Sequence, residues 1–139
     1  MKEPLLLLNF ATTFYLLGLI LTIQFVHYPG FIYVDRKLFP KFHLFHVRRI
    51  SLIVMIPMVV ELLGSIALAA LSPNIFHFIL VILVLLIWIS TAFLSVPKHN
   101  KLAKEKNSLI ISQIVLTNWP RTILWTSRAA ILTYLIIKV

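Results

Sequence analysis

The sequence predicts an all-α protein, an antiparallel four-helix transmembrane bundle with both termini on the non-cytoplasmic side. The composition is the first reason: 60% of the 139 residues are hydrophobic, 12% are charged and the mean hydropathy is +0.99. A soluble domain of this length could not cover so much apolar surface. The second reason is that the apolar residues form four runs, each close to the ~20 residues that a helix needs to cross a bilayer. The chain is therefore expected to be one membrane domain, residues 1–139.

Prolines, charges and a predicted N-cap indicate where the four apolar runs begin, end or are interrupted. The first carries no charge and ends at its helix breaker, Pro29, and the second is interrupted by Pro57. The third is uncharged. Asn118 is predicted to be the N-cap of the fourth, with Pro120 in the first turn, where a missing N–H costs nothing. The spans are predicted at residues 4–28, 50–71, 75–97 and 119–138.

The distribution of charge predicts the orientation. The chain has 13 Lys and Arg against 4 Asp and Glu, a formal net charge of +9. The cations concentrate in two polar loops, residues 29–49 and 98–118, whereas the connection at 72–74 has none. The positive-inside rule places both loops of this multi-pass chain in the cytoplasm. The expected location is the bacterial inner (plasma) membrane, in line with the resemblance described below. Cations beside apolar runs indicate membrane orientation, so no nucleic acid is expected as a partner. Within the second loop, residues 109–116 fit an interfacial helix or an early, kinked start of the fourth span.

Four histidines fall at one membrane level, where predicted spans meet the cytoplasmic side. His43 and His46 are three residues apart, so a helix that opens at Pro40 puts both imidazoles on one face. Histidine is a common metal ligand, and the absence of cysteine excludes thiolate sites. Imidazoles alone suit iron, copper or zinc, and a pair could ligate haem. The alternative is that these are interfacial histidines that cap or pack. The predicted metal ligands are His43, His46, His99 and His27.

Two charges lie deep inside predicted spans. Glu61 is 12 residues beyond Arg49, about 18 Å along a helix, and Arg128 lies roughly 10 Å past Arg121. An ionised carboxylate at that depth costs several kcal/mol unless it is paired, hydrated or protonated. We therefore expect Glu61 and Arg128 to approach each other inside the bundle, either as catalytic residues or as an ion pair that only fixes helix register.

The fourth span carries an inward-facing stripe. Arg121, Trp125 and Arg128 recur at i, i+4 and i+7 and so share one helix face. Guanidinium groups beside an indole suit a planar or anionic ligand. Arg121, Trp125 and Asn118 are the predicted substrate-binding residues. Snorkelling and an aromatic belt explain Arg121 and Trp119, but Trp125 and Arg128 lie too deep for that explanation.

The pattern of these residues resembles that of a set of small bacterial four-helix membrane proteins. The resemblance covers nearly the whole chain. More distantly, the segments Pro97 to Leu102 and Trp119 to Arg128 resemble the anthrone-oxygenase-like family of membrane proteins. That resemblance implies four spans and, since some fungal members are implicated in oxidising polycyclic aromatic compounds, oxygen or redox chemistry. The resemblance to the small bacterial four-helix membrane proteins is carried by residues Gln24, His27, Tyr28, Pro29, His43, His46, Arg49, Glu61, Val96, Pro97, His99, Leu102, Asn118, Trp119, Arg121, Thr122, Trp125 and Arg128.

Three hypotheses follow. The first is a metal- or haem-dependent oxidoreductase or oxygenase whose histidine-lined site, at the cytoplasmic mouth of the bundle, takes an apolar substrate from the lipid. The second is a cofactor-free enzyme, an oxygenase or a glutathione-type transferase, in which the arginines bind an anionic cosubstrate. The third is a non-catalytic subunit that binds lipid or a partner. Membrane lipids are expected partners of all three, and a homo-oligomer is a further candidate because four thin spans leave much lipid-facing surface.

Overall fold

The chain folds into long helices joined by short connections. The structure is a computed structural model and describes residues 2–138. In order along the chain, the elements are α1 (Lys2–Thr22), a π-helical turn (Ile23–His27), α2 (Tyr28–Gly30), a 3₁₀ turn (Phe31–Tyr33), α3 (Phe39–Leu71), α4 (Ile75–Ser90), a second π-helical turn (Thr91–Ser95), α5 (Val96–Leu102) and α6 (Ser108–Ile137).

Three helical stretches in the described chain are long and apolar enough to cross a membrane: Lys2–Tyr33, Phe39–Leu71 and Ile75–Leu102. The structure is therefore all-helical and compatible with an integral membrane protein. At 1.5 Å per residue α6 is also long enough, about 45 Å, but its polar residues make it less apolar than the others. The fourth span, the antiparallel arrangement and the side on which the termini lie stay predictions.

Two helices begin before the spans predicted at 50–71 and 119–138, in agreement with the helix expected to open at Pro40 and with the early start considered for the fourth span. α3 starts at Phe39 with Pro40 in its first turn, and α6 starts at Ser108. The N-cap of α6 is Asn107, whose side chain accepts the N–H of Ile110 at 3.1 Å. The prediction that Asn118 is an N-cap is therefore wrong. The apolar run 109–116 is helical and continues through Asn118, so the two predicted polar loops are largely helix.

The bundle exposes many large apolar side chains and buries a set of polar ones beside its apolar core. α1 packs against α3 and α6, and α4 packs against the same two helices. Large apolar residues such as Leu52 and Ile56 are more than 60% exposed on the outer surface. Asn9 and Glu61, by contrast, are fully buried between helices. This distribution fits a lipid solvent, in which buried polar groups are satisfied by one another.

The two π-helical turns share a sequence cause. Each begins six residues before a proline, Ile23 before Pro29 and Thr91 before Pro97. Proline lacks an N–H, and its ring clashes with the carbonyl four residues earlier, which distorts the preceding helical turn. Widening that turn relieves the clash while the helix continues. Both turns lie beside the candidate site, where π-helical turns are frequent.

Candidate functional site

The structure brings the four predicted histidines together. His27 ends the first π-helical turn, His43 and His46 lie on the inner face of α3, and His99 lies on α5. The distance between ring centroids is 4.3 Å for His27–His46, 5.3 Å for His43–His99 and 5.9 Å for His46–His99. Phe31 packs edge-on against three of the rings. The predicted i, i+3 pair of α3 therefore does share one buried face.

The rings are joined in pairs. His27 Nε2 lies 2.6 Å from His46 Nδ1, and His43 Nε2 lies 3.0 Å from His99 Nδ1. A neutral imidazole has one donor and one acceptor nitrogen, so each pair forms one hydrogen bond. Two buried ring nitrogens, His43 Nδ1 and His46 Nε2, have no protein partner.

Within residues 2–138, no group of three His, Asp or Glu side chains is arranged so that it could hold a metal ion. The histidines meet two at a time, whereas a zinc site needs at least three ligands about 2.0–2.1 Å from one point. The metal and haem ligand set of the sequence analysis stays a prediction.

A hydrogen-bonded chain extends from these histidines into α6. The Tyr28 hydroxyl lies 2.9 Å from His99 Nε2, and Arg121 donates to the same hydroxyl at 3.4 Å. Arg121 also donates to the side-chain oxygen Oδ1 of Asn118, while Nδ2 of the same side chain donates to Gln24 Oε1 at 2.7 Å. Asn118 is thus a positioning residue for Arg121. One proton arrangement satisfies the chain throughout: Arg121 donates to Tyr28, Tyr28 to His99, and His99 to His43.

Among the described residues, Arg121 has no acidic partner. It is 6% exposed, and its Nε has no hydrogen-bond acceptor. In the part of the chain that the structure describes, the salt bridges are Glu61–Arg128 and the exposed Arg36–Glu105. A buried guanidinium without a carboxylate is costly unless something else supplies the negative charge.

A cavity of about 180 Å³ lies beside this chain. Its polar wall is formed by Tyr28, His99 and Arg121, and its apolar wall by residues such as Met58 of α3. Exposed residues of α3 and α5 form its rim, so it opens sideways between these helices, onto the outer surface of the bundle. That volume is close to the ~150 Å³ of a cavity that holds one benzene ring. The rim residues are Ser51, Met55, Val96 and Asn100.

Glu61 and Arg128 form a second buried site, away from the histidines. The Arg128 Nε donates to Glu61 Oε1 at 2.9 Å, and both side chains are fully buried. Trp125 Nε1 donates to the other carboxylate oxygen at 3.1 Å, and the Thr13 hydroxyl donates to Oε1 at 2.5 Å. Arg128 also donates to the Ser65 hydroxyl at 3.1 Å and to a carbonyl of α4. The expected contact between the two charges is present, and every polar group of the pair has a partner.

Three members of this second site were not predicted. Asn9, Thr13 and Ser65 are fully buried, and Ser65 donates to Asn9 Oδ1 at 2.8 Å. Their signal was present: Asn9 and Thr13 stand four residues apart in an apolar run, and Ser65 stands four residues after Glu61. Polar residues at helical spacing within a span indicate an inward face.

The fifth histidine lies elsewhere. His77 Nδ1 lies 2.5 Å from the carbonyl oxygen of Ser72, and its backbone N–H donates to Asn74. Asn74 is therefore the N-cap of α4, and His77 lies in the first turn of that helix, apart from the candidate site.

No protein-family model, curated protein or solved structure matches this chain. The resemblance to the anthrone-oxygenase-like family stays a prediction.

Proposed function

We propose that the protein is an integral membrane enzyme that takes an amphipathic substrate from the lipid into the cavity between α3 and α5. The observation that carries the proposal is Arg121: a buried guanidinium at the cavity wall without a carboxylate partner. An anionic head group on the substrate would supply the missing charge. The sideways opening would leave an apolar tail in the bilayer.

The residues beside Arg121 suit acid–base chemistry on that head group. Tyr28 and His99 line the cavity and are hydrogen-bonded to each other, and His99 is in turn bonded to His43. A proton exchanged with the substrate at the Tyr28 hydroxyl would pass between Tyr28, His99 and His43 along these hydrogen bonds, without water entering the cavity. This is a cofactor-free enzyme, with Arg121 binding the substrate and His99 and Tyr28 as the proton carriers.

The test uses two photoactivatable probes with the same alkyl chain, a fatty acid and the corresponding fatty alcohol, on protein in neutral phosphatidylcholine nanodiscs. The fatty acid should label peptides within residues 47–58 and 91–100, and the alcohol should label them weakly. Arg121→Gln should lower labelling by the acid at least tenfold, since hydrogen bonds to charged groups contribute about 1.5–3 kcal/mol. Arg121→Lys should retain part of it.

The matched control is Arg36→Gln, which removes an 80% exposed guanidinium far from the cavity and should leave labelling unchanged. Equal labelling by acid and alcohol, or an undiminished signal from a folded Arg121→Gln variant, would refute the proposal.

A second candidate is the metal-dependent oxidoreductase. The observation that favours it is the pair of buried, unpartnered ring nitrogens, His43 Nδ1 and His46 Nε2, which metal ligation would satisfy. A transition ion would need the ring pairs to separate and a third ligand to turn towards it. Pockets that bind drug-sized ligands have volumes of about 300 Å³ or more. A haem is larger than such ligands, so it would not fit the 180 Å³ cavity as it stands.

Elemental analysis and an absorption spectrum of untagged protein in detergent separate the two candidates. About one equivalent of metal, lost in the His43→Ala/His46→Ala variant, would favour the oxidoreductase. Metal-free protein that is still labelled by the fatty acid would favour the cofactor-free enzyme.

A further inference from the structure

The outer face of α3 carries a second concavity, independent of the candidate site. This basic groove, about 280 Å³ in volume, is formed by Lys41, Leu44, Phe45, Arg48 and Arg49. All five side chains are exposed, while His43 and His46 on the same helix turns point inward. The groove and the histidines thus lie on different faces of α3.

The positive charge of the groove is not neutralised by the protein. None of the salt bridges or side-chain hydrogen bonds among the described residues involves Lys41, Arg48 or Arg49. Arg49 lies over the ring of Phe45, with 5.7 Å between its Cζ and the ring centroid. Three cations within about two helical turns repel one another, so an anion in the groove would relieve that repulsion.

The acidic residues of the chain contact other residues or lie away from the groove. Glu61 is buried against Arg128, and Glu105 lies 3.9 Å from Arg36. Asp35 accepts the backbone N–H of Lys37 at 2.8 Å. Glu3 lies in the first turn of α1, far along the bundle from the start of α3. A counter-ion for the groove must therefore come from outside this part of the chain.

The apolar surface next to the groove indicates what kind of anion fits. Leu44 is 50% exposed and Phe45 is 60% exposed, so the cations stand beside uncovered hydrocarbon. Continuing from Arg48 at intervals of four residues, Leu52 and Ile56 form an exposed apolar ridge along the same helix face. A ligand that matches both parts has an anionic head and an apolar chain.

We propose that the basic groove binds one anionic phospholipid, with its phosphate between Lys41, Arg48 and Arg49 and an acyl chain along Leu52 and Ile56. The groove lies where the apolar face of α3 ends in cations, which is the level of lipid phosphates in a bilayer. Arginine side chains bind phosphate oxygens in a bidentate manner, which favours a specific contact over general attraction to the membrane surface. This site is separate from the substrate cavity and does not rest on the proposed function.

The test is native mass spectrometry of the full chain in a neutral detergent, titrated with phosphatidylglycerol or with phosphatidylcholine of the same acyl chains. One phosphatidylglycerol should bind per chain, and phosphatidylcholine should not. Arg48→Gln/Arg49→Gln should weaken binding about 25-fold, or about fivefold for each cation. Lys101→Gln/Lys104→Gln, which removes two exposed cations from a different segment, should change the affinity less than twofold.

Equal binding of the two lipids, or equal losses in the two double variants, would overturn the proposal because the charge would then act without a specific site. Inorganic phosphate and glycerophosphoglycerol serve as competitors without acyl chains. If either displaces the lipid at equal concentration, the groove binds phosphate and the acyl-chain part of the proposal is wrong. Should the double variant fail to elute as a single species, Arg48→Gln carries the test with its expected fivefold loss.

Discussion

Removal of the Arg128 guanidinium is expected to destabilise the bundle more than any other single change in charge. Arg128 donates to Glu61, to Ser65 and to a backbone carbonyl of α4, so it connects three helices. In the Arg128→Ala variant, Glu61 keeps its hydrogen bonds from Thr13 and Trp125 but loses its counter-ion in a fully buried position. Breaking a buried ion pair from one side costs about 3–5 kcal/mol.

That cost corresponds to a factor of about a hundred to a few thousand in the unfolding equilibrium. Reversible unfolding in mixed detergent–dodecyl sulfate micelles measures the free energy of unfolding of each variant. Replacing both partners, as in Glu61→Gln/Arg128→Met, removes both charges, so its cost should be clearly smaller than that of Arg128→Met alone. The difference between Arg128→Met and the double variant isolates the ion pair from the loss of side-chain volume.

The chain supplies its own control in the second Arg–Glu pair. Arg36 and Glu105 are 80% and 67% exposed and 3.9 Å apart. Exposed pairs of this kind contribute little, so Arg36→Ala should leave the unfolding curve unchanged. Our reasoning would be refuted if Arg128→Ala cost less than about 1 kcal/mol, or if the double variant were as unstable as Arg128→Ala. If a folded Arg128→Met variant also lost fatty-acid labelling, the pair would take part in function as well as in stability.

Alanine substitutions at Gly64 and Gly18 are expected to change the free energy of unfolding in opposite directions, which the same unfolding measurement checks. At Gly64 a Cβ would lie 2.9 Å from Asn9 Nδ2. The Asn9 side chain cannot easily move away, because it is hydrogen-bonded to the Leu5 carbonyl and to the Ser65 hydroxyl. Gly64→Ala should therefore lower the free energy of unfolding by about 1–2 kcal/mol. At Gly18 nothing lies within 4 Å of a Cβ, so Gly18→Ala should be neutral or raise it by up to about 1 kcal/mol, because alanine favours the helix. A destabilising Gly18→Ala, or a harmless Gly64→Ala, would contradict this packing.

The buried charges and the histidines could be predicted because each follows from depth along a helix. A charge in the middle of an apolar run must be paired, so the positions of Glu61 and Arg128 alone indicate their contact. Likewise, residues at the ends of predicted spans share a membrane level, which brings His27 and His99 near the histidines of α3. These inferences need only the rise per residue of a helix and the cost of a charge in hydrocarbon.

The cavity and the role of Asn118 could not be predicted, because they depend on rotation about the helix axis and on spacing between helices. Asn118 followed by Pro120 carries the local signal of a helix start, and that signal competes with an apolar run just before it. In the folded bundle the helix includes the apolar run and begins at Ser108. The cavity likewise lies between α3, α5 and α6, so it is a property of the assembled bundle that no single segment encodes.

The π-helical turns set the direction in which Tyr28 and His99 point. Each turn inserts roughly one extra residue, and one residue rotates all that follows by about 100° around the helix axis. Tyr28 directly follows the first turn, and His99 follows the second by four residues. The hydrogen bond between them therefore depends on two backbone insertions as much as on two side chains. Deleting an exposed residue of either turn, Phe25 or Phe93, would keep every residue of the site, yet it would turn one partner away from the other.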